Sequence, residues 1–190
     1  MTDTIEVERK RQLSDDGSTL TPVLAQLGYV ASAPVTETDT YYSRPDIDFM
    51  QTVECLRVRR RGEFAEITYK PASTATTHAT DDVISKMETN VILSEGEQAC
   101  TAERLLTAIG MRELVRVEKT RTIYRHPDHS GVTVSIDTVQ GAGTFIETEV
   151  NRPTAEGAAE LVEHIEEQLG IRGCPTVAIP YRDIVLGQAK

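Results

Sequence analysis

Near the start of the chain, the stretch Ile5-Glu-Val-Glu-Arg-Lys10 alternates between two kinds of side chain. Glu6, Glu8 and Lys10 stand two residues apart, and successive side chains of a β-strand point to opposite faces of a sheet. The three charged groups would therefore share one face, while the apolar side chains on either side of Glu6 would share the other. The pattern predicts a strand with one charged face and one apolar face.

Further along the chain, six more stretches alternate in the same way. They run over residues 55–59, 66–70, 88–92, 114–124, 132–139 and 144–150. Three other regions repeat apolar residues at helical spacing, over 20–27, 105–109 and 161–169, and Ser18 and Thr154 are predicted N-caps for the first and last. Seven or more strands with three amphipathic helices predict an α+β protein with a largely antiparallel sheet.

The composition is that of one acidic globular domain. The chain has 190 residues and no Pro- or Gly-rich linker, so a single domain over 1–190 is expected. Its formal net charge of −10 argues against a general attraction to nucleic acid. No apolar stretch approaches the roughly 18 residues that a membrane span needs, and Cys55, Cys100 and Cys174 follow no disulfide or zinc spacing. We therefore expect a cytoplasmic protein with neither a membrane nor a nucleic-acid partner.

Two arrangements of the charged strand faces fit this pattern. In the first, the sheet turns its charged side to water and its apolar side to the helices. In the second, the sheet curls so that the charged faces look inward, where each charge must be paired or bound to a metal. Carboxylates suit hard cations such as Mg²⁺ or Mn²⁺, and Arg and Lys suit phosphoryl oxygens. The second arrangement therefore predicts a polyphosphate ligand with a divalent metal.

The order of the motifs resembles the CYTH superfamily, the triphosphate tunnel metalloenzymes. The first strand matches the ExExK motif of that family through Glu6, Glu8 and Lys10. Six downstream blocks follow in the family's order: 39–42, 56–59, 67–70, 119–124, 137–149 and 180–186. The resemblance spans nearly the whole chain, and it implies an eight-stranded antiparallel β-barrel, with helices packed outside, that holds a triphosphate and Mg²⁺ or Mn²⁺.

The same resemblance implies a role for each charged residue of the strands. Implied metal ligands are Glu6, Glu8, Glu147, Glu149 and Asp137. Implied triphosphate contacts are Lys10, Arg57, Arg59, Lys70, Lys119 and Arg121. The implied catalytic set is Glu6, Glu8, Lys10, Arg57, Arg59 and Asp137. Glu88 lies near an acidic position of the family, although its surroundings depart from the usual pair of acids, and it is a further candidate metal ligand.

The resemblance is closer to the class IV adenylate cyclase branch than to animal thiamine triphosphatases. It implies conversion of ATP to cyclic AMP and pyrophosphate, although Pro180 stands where this branch commonly has Ser. Members of the branch also hydrolyse inorganic triphosphate, so a triphosphatase or a thiamine triphosphatase-like hydrolase is the alternative. A polyphosphate-binding module without activity is a third hypothesis. Tyr41, Tyr42 and Tyr181 are expected to pack at the barrel rim, and the oligomeric state stays open, a dimer included.

Overall fold

Strands dominate the computed structural model, which describes residues 5–73 and 84–188. The strands are β1 (Ile5–Gln12), β2 (Val30–Ala31), β3 (Val35–Ser43), β4 (Cys55–Arg61), β5 (Phe64–Lys70), β6 (Ile84–Met87), β7 (Thr89–Leu93), β8 (Arg112–Arg125), β9 (Val132–Val139) and β10 (Gly143–Arg152). The helices are α1 (Thr21–Gln26), α2 (Gln98–Ala108), α3 (Ala158–Gln168) and α4 (Tyr181–Gln188). The single domain over 1–190 includes residues outside the described ranges and stays a prediction.

The strands form one antiparallel sheet that curls into a barrel. Its order is β6-β1-β10-β9-β8-β3-β4-β5-β7, with the two-residue β2 beside β8. Only Glu88 separates β6 from β7, and these two strands pair with β1 and β5 respectively. Both ends of the sheet therefore meet on one stretch of chain, which acts as a single strand of the barrel. The predicted α+β fold, an eight-stranded antiparallel barrel with helices outside, is confirmed.

The apolar face of β1, β9 and β10 points outward and is covered by α1 and α3. Val7 and Ile146 lie in one buried cluster with Leu24 of α1 and with Val162 and Ile165 of α3. Burying a side chain of this kind stabilises a fold by roughly 1.5–3 kcal/mol. The outer apolar cluster therefore keeps the charged phase of these strands turned toward the barrel interior.

The other two helices cover different parts of the barrel. On α2, Ala99, Ala102 and Leu106 pack against the outward side chains of β3 to β5, among them Val58. In contrast, α4 contacts β8 and belongs to an apolar cluster with Phe145, whose side chain shares the inward phase of β10. None of the helices in the described ranges is long and apolar enough to cross a membrane.

One charged contact is buried outside the barrel, between β1 and α3. A single oxygen of the Glu166 carboxylate accepts hydrogen bonds from Arg9 and Arg11, both at 2.8 Å. Arg11 also donates to the carbonyl oxygen of Cys174 at 2.8 Å. Glu166 is completely buried, so its charge depends on these two arginines for balance. The contact fixes α3 against the strand that carries the ExExK motif.

Several local predictions need correction. The strands β2, β3 and β6 and the helix α4 were not predicted as elements. The N-cap predictions are wrong, because α1 begins after Leu20 and α3 begins after Gly157, and neither helix has a side-chain cap. Gly157 has a φ of 68°, a left-handed conformation that glycine adopts without strain, so the backbone redirects the chain there without a capping side chain.

Replacing Glu166 by Ala should destabilise the protein by about 3–5 kcal/mol, because the buried Arg9 and Arg11 would each lose a carboxylate partner. Urea unfolding followed by circular dichroism measures this loss. The matched control is Glu163→Ala on the same helix, since Glu163 pairs with Arg172 at the surface, where both side chains are about half exposed. That variant should lose less than about 1 kcal/mol. Equal losses in the two variants would contradict the importance of the buried contact.

Candidate active site

A cavity of about 250 Å³ lies inside the barrel, and charged side chains line most of it. Every site residue predicted from the sequence lines this cavity except Asp137. The carboxylates of the lining include Glu6, Glu8, Glu66, Glu88, Glu147 and Glu149. The cations of the lining include Lys10, Arg57, Arg59, Lys70, Lys119 and Arg121. The structure thus brings both predicted groups together, with their charges turned inward.

The two kinds of charge concentrate on opposite sides of the barrel. What we call the acidic wall consists of Glu6, Glu8, Glu88 and Glu149, on β1, β10 and the β6–β7 junction. What we call the cationic wall consists of Arg57, Arg59, Lys119 and Arg121, on β4 and β8. In the closed order of eight strands, β10 lies across from β4, and the β6–β7 stretch lies across from β8. The two walls approach each other where Arg57 Nη2 lies 3.9 Å from Glu88. Elsewhere a ligand in the cavity faces mainly carboxylates on one side and mainly cations on the other.

Buried aspartates fix three cations of the cationic wall. Arg59 donates from Nε and Nη2 to the two carboxylate oxygens of Asp39, at 2.6 and 2.7 Å. Asp137 accepts from Arg121 Nε at 2.6 Å and from Lys119 Nζ at 3.0 Å. Burial alone would raise the pKa of each aspartate, but the adjoining cations hold the pKa of Asp39 and of Asp137 well below the usual range. These aspartates set the direction in which the three cations point.

A third carboxylate, Glu37 of β3, lies behind the same wall. Its Oε2 atom is 3.4 Å from Nζ of Lys119, 3.4 Å from Nη1 of Arg59 and 4.0 Å from Nε of Arg121. Its Oε1 atom accepts a hydrogen bond from Arg61 at 3.4 Å. Glu37 is completely buried, and its Oε2 makes no hydrogen bond to any residue of the described ranges. That oxygen is therefore held by charge alone.

The acidic wall carries more negative charge than the nearby cations balance. Glu8 and Glu149 are direct partners across β1 and β10, and Lys70 Nζ lies 2.5 Å from Glu6 and 3.1 Å from Glu88. Burial, followed by repulsion from the Glu8, Glu88 and Glu149 carboxylates, raises the pKa of Glu6 to about 8, although Lys70 opposes the shift. Burial and the Glu8 carboxylate also raise the pKa of Glu149. The wall is therefore short of positive charge.

Two cations of the lining are not committed to an internal hydrogen bond. Among the residues that the structure describes, the carboxylate oxygens nearest to the Arg57 guanidinium are 3.8 Å away on Asp39 and Glu66 and 3.9 Å away on Glu88. Lys10 Nζ lies 4.0 Å from Glu147 and makes no hydrogen bond within the described part of the chain. The other five cations of the lining, which are Arg59, Lys70, Lys119, Arg121 and Arg182, each donate to a carboxylate at hydrogen-bond distance. Lys10 and Arg57 are therefore the cations with donors left for a ligand.

The helix α4 closes one end of the cavity. Tyr181 packs against Phe145 with ring centroids 5.2 Å apart, and the ammonium of Lys10 lies 4.2 Å from the Tyr181 ring centroid. The next residue, Arg182, is buried and donates to the carbonyl oxygen of Glu54 at 2.6 Å. Burial, with the nearby carboxylates of the barrel, raises the pKa of Tyr181 well above its usual value. This end is therefore sealed by aromatic packing and anchored by one buried arginine.

The three tyrosines expected to pack are all buried, at 4% exposure for Tyr41, 1% for Tyr42 and 5% for Tyr181. Tyr41 and Tyr181 line the cavity beside its apolar end. Tyr42 instead packs under α2 on the outer side of the sheet. Packing is therefore confirmed for these residues, while the position of Tyr42 differs from the barrel rim because it has the opposite phase to Tyr41 on β3.

Sequence reasoning assigned no role to Glu37, Asp39 or Glu66. The signal for the first two was present, because β3 places Glu37, Asp39 and Tyr41 on one face and threonines on the other. That alternation was missed since threonine blurs the contrast between the polar and apolar phases. Asp137 is buried with its oxygens on Lys119 and Arg121, so its contacts in this structure are to cations, and its role as a metal ligand stays a prediction.

The acidic wall fits a hard divalent cation by its donor chemistry. Carboxylate oxygens are the ligands that Mg²⁺ and Mn²⁺ prefer, and the Glu8 carboxylate has no hydrogen bond or ion pair within residues 5–73 and 84–188. No three acidic, histidine or cysteine side chains of those ranges are already gathered around one point. Glu6 and Glu149 are turned toward Lys70 and Asn151 respectively, and both would have to rotate to bind a shared cation.

Without added metal, the free energy of unfolding should fall as pH rises from about 5 to 8. Folded Glu6, with its pKa near 8, keeps a proton that the unfolded chain, with the ordinary value of 4.5, has released. Because the unfolded state binds fewer protons in this window, stability falls by up to about 1.4 kcal/mol per pH unit. Urea unfolding across the window should show a flatter profile for Glu6→Gln, which cannot titrate. An equally steep profile in the variant would refute the assignment.

The fold of the chain is shared with solved structures. A protein of Pyrococcus horikoshii superposes with a TM-score of 0.78 at 27% identity, covering 97% of this chain and 99% of that one. A Hippeastrum protein, described as a putative adenylyl cyclase with a dominant triphosphatase activity, superposes with a TM-score of 0.68 at 16% identity. That likeness covers 97% of this chain and 95% of the other, and at this identity it shows the fold alone.

Sequence comparison identifies the family. A Methanocaldococcus jannaschii protein that carries the name putative adenylate cyclase is 29% identical over 167 residues, which is 87% of either chain. The CYTH domain model matches residues 4–177, a span that includes every strand of both charged walls. The chain therefore belongs to the CYTH domain family.

Proposed function

We propose that this protein is a divalent-metal-dependent enzyme that acts on a triphosphate inside the barrel. The observation that carries the proposal is the opposition of an acidic wall and a cationic wall across one cavity. A polyphosphate alone would be repelled by the carboxylates, and a metal alone would be repelled by the cations. A metal-bound triphosphate satisfies both walls, because it presents anionic oxygens on one side and positive charge on the other.

In this proposal the cationic wall holds the β- and γ-phosphates. Arg59, Lys119 and Arg121 are already aimed by Asp39 and Asp137, so they need little reorganisation when a phosphate arrives. Arg57 and Lys10 bring uncommitted donors, and Lys70 reaches in from β5. Arg57 can offer a planar fork to two phosphoryl oxygens. The cations with fixed directions would then determine the orientation of the phosphate chain.

The acidic wall would hold Mg²⁺ or Mn²⁺ through Glu6, Glu8 and Glu149, with Glu147, Asp137 and Glu88 as further candidate ligands. Bound there, the metal neutralises charge on the phosphates and lowers the pKa of the attacking nucleophile. Rotation of Glu6 toward the cation would release Lys70 to face the phosphates. The carboxylates therefore position the cation, and the lysine that they free joins the anion-binding groups.

The reaction that we favour is that of a class IV adenylate cyclase. The ribose 3′ oxygen of ATP would bond to the α-phosphorus and lose its proton. The bond between the α-phosphorus and the oxygen that bridges to the β-phosphate would break, and pyrophosphate would leave with that oxygen. The name of the Methanocaldococcus jannaschii relative supports this choice. The three cysteines are free thiols, which suits the reducing cytoplasm that we propose as its compartment.

Hydrolysis of inorganic or thiamine triphosphate is the alternative. The triphosphatase activity described for the Hippeastrum neighbour favours it, because that barrel has the same fold. Binding of a polyphosphate without turnover is the third hypothesis, but an anion-binding module gains nothing from carboxylates such as Glu6, Glu8 and Glu149 in its cavity. The two reactions require the same kinds of phosphate-holding and metal-holding groups, but they differ in the nucleophile and in the phosphorus that it attacks, which is the α-phosphorus in the cyclase and the terminal one in the hydrolase.

The deciding experiment supplies ATP and inorganic tripolyphosphate separately, with Mg²⁺ or Mn²⁺, and resolves the products by anion-exchange chromatography. Cyclic AMP with pyrophosphate from ATP would support the cyclase. Orthophosphate from tripolyphosphate, without cyclic AMP from ATP, would support the hydrolase. Absence of turnover together with tight binding by calorimetry would leave only the binding module.

Replacing Arg57 by Lys should lower kcat/KM for the triphosphate by about 10- to 150-fold. Lys keeps the charge but cannot form a bidentate fork, and a hydrogen bond to a charged group contributes roughly 1.5–3 kcal/mol. Steady-state kinetics over a full metal titration measures the loss, and excess Mn²⁺ should not restore it. A variant that matches wild type at every metal concentration would show that Arg57 does not hold phosphate.

Replacing Glu147 by Asp should have the opposite signature. The charge stays, but the shorter side chain moves the carboxylate back from the cavity, so the metal concentration needed for half-maximal activity should rise. Excess cation should restore part of the activity, which separates this variant from Arg57→Lys. If added metal restores neither variant or both, the division into metal-holding and phosphate-holding residues is wrong.

Tripolyphosphate and Mg²⁺ together should raise the melting temperature far more than either does alone, because only the joint ligand balances both walls. A ligand at 100 times its dissociation constant stabilises the folded state by about 2.7 kcal/mol. Differential scanning fluorimetry measures the shift, with orthophosphate as the control for a nonspecific anion. Equal shifts with orthophosphate and tripolyphosphate would contradict a site built for a phosphate chain.

A further inference from the structure

We propose that Glu37 is the fixed counter-charge of the cationic wall, a positioning residue that limits how tightly the wall holds a polyphosphate. The inference rests on the proposed function, since it concerns the strength of the same anion site. Glu37 is completely buried, does not line the cavity, and places one oxygen within 4.0 Å of Arg59, Lys119 and Arg121. It can therefore act on a bound phosphate only through these cations.

The contacts of Glu37 differ in kind from those of the two aspartates behind the wall. Asp39 and Asp137 make hydrogen bonds of 2.6–3.0 Å, which fix the direction of each cation. The Oε2 atom of Glu37 makes none within the described ranges, yet it faces cations from two different strands at 3.4 Å. Direction is already set by the aspartates, so what Glu37 adds to the wall is charge.

The position of that charge determines its effect. Lys119 and Arg59 line the cavity on one side and face Glu37 on the other, so the carboxylate opposes the field that they present to a phosphate. In a medium of low effective dielectric constant, one charge a few ångströms away alters such an interaction strongly. A wall without Glu37 would hold substrate and anionic product more tightly alike, and uniform tightening does not raise kcat. Glu37 therefore favours product release.

The test compares wild type with Glu37→Gln, which removes the charge and keeps the volume. Calorimetric titration with tripolyphosphate in the presence of a chelator, at mildly acidic pH where lysines remain charged, measures the wall without metal. We expect the dissociation constant of the variant to fall by about tenfold. With metal present, we expect KM to fall, kcat to fall by a similar factor, and inhibition by pyrophosphate or orthophosphate to strengthen.

Two control variants separate charge from structure. Glu37→Asp keeps the charge and should bind tripolyphosphate within about threefold of wild type. Arg61→Gln removes the outer partner of the same carboxylate, does not touch the cavity, and should not tighten binding. If the single variant Glu37→Gln does not fold, the double variant Glu37→Gln with Arg61→Gln is used in its place in every measurement. The double variant has the same net charge as wild type.

The outcomes are distinct. Tighter binding in the Gln variant, reversed in the Asp variant, supports the inference. Unchanged or weaker binding in a folded Gln variant overturns it, and so does equally tight binding in the Asp variant. A wild-type protein without turnover on any triphosphate would overturn the proposed enzyme activity, but the comparison of dissociation constants would still decide the role of Glu37. A wild type that does not bind tripolyphosphate even when Mg²⁺ is present would overturn both.

Discussion

The structure depends on one electrostatic constraint: a charge turned away from water must meet an opposite charge. The barrel turns the charged phase of its strands inward, so this requirement falls on nearly every interior position. It explains why β3, with no cation of its own on its inward face, contributes Glu37 and Asp39 behind the arginines and lysine of β4 and β8. Carboxylates and cations are therefore interleaved by strand order and not by sequence proximity.

The charges of the barrel interior are balanced at the cationic wall of the cavity but not at the acidic wall. Behind the cationic wall, aspartates fix the direction of Arg59 and Arg121 with short hydrogen bonds. Along the acidic wall, burial and mutual repulsion keep a proton on Glu6 near neutral pH, because Lys70, which contacts Glu6 and Glu88, does not balance the whole carboxylate cluster. The cations proposed to hold phosphate are therefore fixed in direction, whereas the acidic wall can still accept a positive charge.

Apolar contacts outside the barrel offset the free-energy cost of turning the charged side chains inward. Helices α1, α2 and α3 cover the outer faces, and α4 inserts aromatic packing at one end. Much of this could be predicted from the sequence, because the alternation from Ile5 to Lys10 and its repeats mark strands with two unlike faces. The α4 helix was missed, since its anchor is the buried Arg182 on the carbonyl oxygen of Glu54, a contact between segments far apart in the chain.

By itself, the sequence determined most of the strands, the charged residues that share a face on those strands, and, through the order of its motifs, the family and its barrel. Only the tertiary structure decided which charges pair. Asp137 faces Arg121 and Lys119 because β9 pairs with β8 in one particular register. Arg57 and Lys10 keep free donors because no carboxylate among the residues that the structure describes comes within hydrogen-bond reach. The physical reason is that alternation along one strand fixes a face, whereas the partner of a buried charge is set by the register and curvature of strands that are distant in sequence.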